Sequence, residues 1–261
     1  MEASDSKDPP YFSRDDQAET WILYQLADSA LPTGGFVVSS GLECLEQVGL
    51  LSSLPQFLQS SVDTYARSNL PFVAAAYDAN SREALYHLDD IYDAYQVNGV
   101  GRRASMAQGL ALLNLYCKSY ASPDPRASPT PPPQVQQGEG EDTFGDTGRL
   151  RAFRDSIRDT RSPGHHAIAF GVTARFWGIR RERVLHAFLF LHARSLLSAA
   201  VRLNIVGPYA AQRELDKLRH IVNSLLIECS HLPIDQALTS APLLDLAQGA
   251  HDRLFTRLFN S

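Results

Sequence analysis

His165 and His166 are adjacent, and His186 and His192 follow on the next helical stretch. Together they are the arrangement in this chain that comes nearest to a metal site. Neighbours on a helix point about 100° apart, so His165 and His166 could hold one ion together only if they precede the first turn. His186 and His192 are six positions apart, which puts them on different helical faces. Neither an i, i+4 histidine pair nor a Cys/His cluster accompanies them. The expectation is no stable metal site, with His165 and His166 as candidates for a transient contact. No glycine-rich loop ends in Lys-Ser or Lys-Thr, so a phosphate cradle and intrinsic GTP hydrolysis are not expected. Neither Gly-x-Ser-x-Gly nor a Cys/His/Asn signature is present. The reading is a protein that is not an enzyme, with no catalytic residue and no cofactor.

The elements that carry these residues read as helices. A face of Leu54, Phe57, Leu58, Val62 and Tyr65 runs from Ser53, with Pro55 in the first turn, where a missing N–H is harmless. Residues 70–79 and 81–96 read as two further pieces, stopped by Asn98 and Gly99, and 102–120 as a helix rich in small residues. Residues 150–160 form a short charged helix and 164–177 another. Residues 180–203, apolar almost all round, predict the central buried helix. Gly207 and Pro208 separate it from a helix on which Leu215, Leu218, Val222, Leu225 and Cys229 recur. A last amphipathic segment from Pro242 places Leu243, Ala247, Ala250, Leu254 and Leu258 in one line. No convincing strand, solenoid repeat or sustained heptad is found, so the fold class is all-α, a single domain of roughly ten helices.

The 261 residues are 44% hydrophobic, enough for one sizeable core. A net charge of −5 offers no basic field, which disfavours nucleic acid as a partner. Residues 184–206 are interrupted by His186, His192, Arg194 and Arg202, which argues against a membrane span. Cys44, Cys117 and Cys229, odd in number and far apart, fit reduced thiols in the cytoplasm without a disulfide. Residues 1–16 lack the basic start and apolar run of a signal peptide and predict a disordered tail. The proline-rich, acidic stretch 121–148 predicts a disordered insertion in one helical domain spanning 17–261.

The chain also carries a turn between helices at 26–43. Trp21, Ile22, Leu26, Ala27 and Ala30 give the preceding helix an apolar face, and Pro32 ends it. Gly34 and Gly35 set a corner from which Phe36 can turn into the core, while Ser39 or Ser40 caps the next helix. The order Leu31, Pro32, Gly34, Gly35, Phe36, Ser39, Gly41, Leu42, Glu43 resembles the signature of the urease accessory protein UreF family. Three further runs are similar to that family: Arg102, Arg103, Ala104, Ser105, Gln108, Gly109; then Gly164, His165, His166, Phe170, Gly171; then Ala200 to Leu203. So is the ending, Pro242 to Asp245 and His251 to Ser261. Val38, Leu110 and Pro208 depart from common family choices.

The resemblance implies a nickel-insertion chaperone of urease maturation. Such a protein dimerises, binds UreD (UreH) and recruits the GTPase UreG so that nickel reaches apo-urease. The competing expectation is a helical metal-binding protein or enzyme using His165 and His166. Partner-binding residues are expected at Gly34, Gly35, Phe36, Arg103 and Gln108. Others are expected in a tail comprising His251, Asp252, Arg253, Leu254, Phe255, Arg257, Leu258, Phe259 and Asn260, whose amphipathic segment has little of its own chain to cover it. Gly35→Val is expected to destabilise the fold, and a chain ending at Ala250 to stay folded but lose its partners.

Overall fold

The structure, a computed structural model, describes residues 14–121 and 146–260, without the side chains of residues 14, 15, 36, 146 and 147. The expectations of disorder at 1–16 and 121–148 fall largely outside the described residues. Where the two overlap, Arg14 to Asp16 already belong to α1 and Asp146 to Gly148 to α6, and Ala121 is buried. Among the described residues the regular structure is helical: α1 (Arg14–Ala27), α2 (Leu42–Gln47), α3 (Leu54–Asp78), α4 (Arg82–Tyr95), α5 (Gly99–Ser119), α6 (Asp146–Arg158), α7 (His166–Phe176), α8 (Arg181–Arg202), α9 (Pro208–Cys229) and α10 (Pro242–Ala250). Short 3₁₀ turns lie at Gly35–Val37, Ile234–Gln236 and His251–Arg253.

α7 lies between α3 and α5, and its residues from Ala167 to Ala174 are all buried. α8 packs on α3 and α9, burying Val184, Leu185, Phe188 and Leu189. By length and composition α8 could cross a membrane, despite its His and Arg residues, but 50% of its most apolar window is buried within the fold. α4 and α6 close the far side of α7, while α2 and α10 pack together beside α5 and α8.

Two glycines set the central spacing. A Cβ on Gly171 would stand 2.3 Å from the Val73 carbonyl oxygen, so α3 and α7 touch backbone to backbone. A Cβ on Gly109 would stand 2.1 Å from the Gly164 oxygen, which brings α5 against the turn that starts α7. Among the largest fully buried side chains, Phe72, Phe170 and Phe188 lie in the core that these approaches pull together.

α3 is one helix of 25 residues, not the two pieces its sequence predicts. Pro71 lies inside it without an N–H for the Arg67 carbonyl; Leu238, arriving from the C-terminal segment, donates its own N–H to that oxygen at 3.4 Å. Asn98 does not merely stop α4, because its side chain caps α5 by accepting from the amides of Val100 and Gly101.

α1 keeps part of the expected face: Leu26 is buried and Ile22 packs against the core, but Trp21 is 66% exposed and Ala30 lies beyond the helix in solvent. The anchor is Glu19, 4% exposed, which accepts from the Arg180 amide and guanidinium and from Arg183 at the head of α8. At the following turn the φ of Ser40 is 51° and Gly41 is the N-cap of α2 without a side-chain cap, so neither serine plays the expected part. Gly34 and Gly41 have φ of 75° and 87°, but Gly35 does not have positive φ and its nearest contact for a Cβ is 3.9 Å away. The conformational demand therefore lies at Gly34 and Gly41, and the expected strain of Gly35→Val has no basis in backbone geometry.

Gly171→Ala and Gly109→Ala should each lower stability by about 1–3 kcal/mol or more, because backbone must separate to admit the methyl group. Gly35→Ala should change it by less than about 1 kcal/mol. Denaturant melts of the three variants provide the comparison.

Candidate functional site

Glu43, in the first turn of α2, is fully enclosed, as is His251 at the end of α10. An ionised carboxylate removed from water requires about four donors for its lone pairs. Glu43 has four. His251 Nε2 and the Phe259 amide reach Oε2 at 2.8 and 3.2 Å, while the Leu258 amide and Gln47 Nε2 reach Oε1 at 2.6 and 3.3 Å. Three of these donors come from the last eleven residues of the chain.

Further bonds hold the same end. Gln47 Nε2 donates to the Thr256 carbonyl at 2.9 Å, and the Asn260 amide to the Val37 carbonyl at 2.8 Å. Arg103 pairs with Asp252 at 2.5 Å, and Arg202 lies 4.4 Å over the ring of Phe259. The amphipathic helix expected to run through Leu258 ends at Ala250, and the chain then folds back on Glu43. Residues from the glycine turn, α2, α5 and the tail, remote in sequence, thus meet at one corner of the molecule.

Within that corner the expected partner-binding residues divide. Phe259 is 3% exposed and packs in the chain's own core, so the free chain does not present it to a partner. His251 is likewise enclosed, and Leu254 is half-buried. Phe255 is 101% and Leu258 60% exposed; Arg253, Arg257 and Asn260 are also on the surface. Gly34 is exposed, whereas Gly35 is half-buried with its carbonyl accepting from Ser195 Oγ at 2.8 Å. Gln108 is half-buried and lines a cavity with a mouth open to solvent. The expectation for the Phe36 side chain lies outside the described residues.

The histidines form a second polar centre. Asp89 of α4, fully enclosed, accepts from the amides of Gly164 and His165 at 2.6 and 2.8 Å and from Ser162 Oγ at 2.8 Å. It supplies to α7 the acceptor that the N-cap His165 does not provide. Burial nevertheless holds its carboxyl above the usual range. His165 Nε2 meets Asp93 at 2.9 Å and its Nδ1 meets Ser105 Oγ at 3.1 Å. A carboxylate only accepts, so Nε2 carries the hydrogen, and the neutral ring accepts from Ser105 at Nδ1. Burial lowers the His165 pKa and keeps the ring neutral. Arg102, paired with Asp93 at 2.6 and 2.9 Å, holds that carboxyl below its ordinary value.

Both nitrogens of His165 are therefore committed. His166 packs on Phe188 and edge-on to Phe170, and His192 stacks 3.7 Å from Tyr65. Burial lowers their pKa values to about 4 and about 3. Among the described residues no group of three or more His, Cys, Asp or Glu side chains could hold a metal ion. Asp89, Asp93 and Gln47 were not singled out from sequence, because each acts on an element remote along the chain.

Two predictions follow from these burials. Glu43→Ala should lose about 3–5 kcal/mol, since His251 and two amides lose their acceptor, and denaturant melts give the value directly. Unfolded histidines protonate near 6.5, whereas His166 and His192 do so only near 4 and 3 in the fold. The unfolded state thus binds more protons as pH falls below 6.5, and stability should drop through this window by on the order of 3 kcal/mol per histidine. Asp89, whose carboxyl is held above its ordinary value, opposes this at the acid end. Melts from pH 7 to 4 should show the decline, and a flat profile would contradict the burial of these rings.

The model of the UreF family matches residues 48–219. The chain is 34% identical over 254 residues to "Urease accessory protein F" of Arabidopsis thaliana, covering 95% of each chain. It is 31% identical to "Urease accessory protein 6" of Cryptococcus neoformans var. grubii, with 93% of this chain and 97% of that protein aligned. With "Urease accessory protein UreF" of a Bacillus species the identity is 28%, over 92% of this chain and 97% of the relative. The family model covers the histidine helix and most of the helical core, the relatives align with more than nine-tenths of the chain, and the chain belongs to the UreF family.

Proposed function

We propose that this protein is a cytoplasmic scaffold of urease maturation, acting by docking and without turnover of its own. In this reading it dimerises, binds UreD (UreH) and recruits the GTPase UreG, so that nickel is delivered to apo-urease. Its relatives are named urease accessory proteins, which supports the process. The observation that carries the docking part is the tail: held on both sides by Glu43, Gln47 and Val37, it leaves Phe255 wholly in solvent. A large aromatic side chain on a pinned backbone loses little entropy on binding, and such residues dominate interface energies. Arg253 and Arg257 flank it and would orient an acidic rim on the partner. The alternative reading, a metal-binding protein or enzyme using His165 and His166, gains nothing from the geometry, because both His165 nitrogens are bonded within the protein.

Truncation after Ala250 is a poor test of docking, since it strips Glu43 of three donors and exposes the cavity that Phe259 fills. Phe255→Ala removes only exposed surface. It should leave the melting temperature unchanged and weaken capture of UreD or UreG by roughly 30-fold, the scale of an interfacial anchor worth about 2 kcal/mol. Activation of apo-urease in a reconstituted mixture should fall in parallel. Full capture of both partners by Phe255→Ala would overturn the docking reading.

A further inference from the structure

A cavity of about 200 Å³ opens to solvent between α3, α5, α7 and α8, with the glycine turn and the start of α10 at its edge. Its lining sorts by charge. Among the described residues that line it there is no lysine and no arginine, while Asp28 and Asp245 bring carboxylates. The polar remainder is neutral, hydroxyls and amides such as Ser105 and Gln108 and the imidazoles of His166 and His192. Tyr65, Tyr92, Tyr95 and Phe170 add aromatic surface.

Two of these groups lack an internal partner. The Asp28 carboxylate is engaged, accepting from the Ala30 amide at 2.9 Å, and His192 Nε2 lies 3.2 Å from Ser61 Oγ. Asp245 differs. Its backbone carbonyl accepts from Asn98, but among the described residues its carboxylate has neither a hydrogen bond nor an ion pair. It lies in the first turn of α10, where free helix amides ordinarily favour a negative charge. Burial outweighs them and holds the carboxyl above its ordinary value; burial, and then the nearness of Asp245, also raises the phenol of Tyr95. His166 is the second group. Its ring has no hydrogen-bond partner among the described residues, and burial lowers its pKa to about 4, so at neutral pH it carries an unprotonated acceptor nitrogen.

We infer that this cavity binds a small organic cation, a primary amine in its ammonium form, with Asp245 as counter-ion and the His166 ring as a further acceptor. An ammonium group has donors and no acceptor, which complements a lining with free acceptors and no cationic side chain. Aromatic ring faces are electron-rich and favour the same charge, while their area suits the hydrocarbon part of the ligand. An anion would meet Asp245 with no guanidinium or ammonium to hold it. A metal ion is matched less well, because no group of three or more His, Cys, Asp or Glu side chains converges among the described residues. The volume limits the ligand to about ten non-hydrogen atoms, since drug-sized molecules occupy roughly 300–1,000 Å³. With the mouth open, entry needs no rearrangement of the fold.

Benzylamine, benzyl alcohol and benzoate share one shape and differ in charge, and calorimetric titration of each into the full chain at neutral pH tests the site. Benzylamine should bind with a Kd of about 1 mM or tighter, benzyl alcohol at least about 10-fold more weakly, and benzoate not at all. Asp245→Asn removes the charge at constant shape. It should leave the melting temperature unchanged, weaken benzylamine by at least about 10-fold and leave benzyl alcohol as it was. Ala104→Leu, on the α5 wall, fills the cavity and should abolish binding of both. If that larger side chain unfolds the protein, Asp245→Asn still decides the matter. No heat from benzylamine would overturn the inference, as would equal affinity for benzylamine and benzyl alcohol. Undiminished benzylamine binding by Asp245→Asn would overturn the role of that carboxylate and with it the site. Capture of partners by Phe255→Ala is measured separately, so the docking reading and this site stand or fall independently.

Discussion

A carboxylate withdrawn from water constrains everything within reach of its four lone pairs. Glu43 is such a group, and its donors come from its own helix and from the far end of the chain. With one donor lost, a buried charge is left under-solvated; with all present, the tail has a single path over the surface. That path fixes which tail residues turn inward, as Phe259 does, and which are left to solvent, as Phe255 is. Asp89 does the same for the histidine segment: by accepting from two amides and a hydroxyl it sets where α7 begins.

These two carboxylates divide the molecule into a rigid centre and a fastened edge. The centre is held by backbone contact at Gly109 and Gly171, where even a methyl group has no room. Close packing of this kind yields little without disruption of several helices together. The edge, formed by α2, α10 and the tail, joins the directional bonds of Glu43 to the burial of Leu42, Cys44, Ala247 and Phe259. It carries both the exposed aromatic residue and one wall of the cavity.

The histidines show how burial decides chemistry. Side by side in sequence, His165 and His166 invite a metal-site reading. In the fold one is consumed by Ser105 and Asp93 and the other lies among phenylalanines. Desolvation keeps both neutral, and their different partners give them different parts: His165 joins α4, α5 and α7, while His166 faces the cavity.

Sequence by itself determined the class of fold and nearly every helix, because helical periodicity and Pro or Gly punctuation are local signals. Pro208 opening α9 and the apolar circumference of α8 are examples. The family was also legible, since its motifs are short and keep their order. Only the tertiary structure decided that α3 continues through Pro71, because the tolerance depends on Leu238, 167 positions later, donating near the freed carbonyl. It likewise decided that the last helix stops at Ala250: the periodicity of Leu254 and Leu258 favours continuation, but the donors demanded by Glu43 require the chain to turn back. Local pattern records what a segment can form alone. Where a buried charge or a missing donor is satisfied from another part of the chain, the outcome is set by contacts that periodicity does not encode.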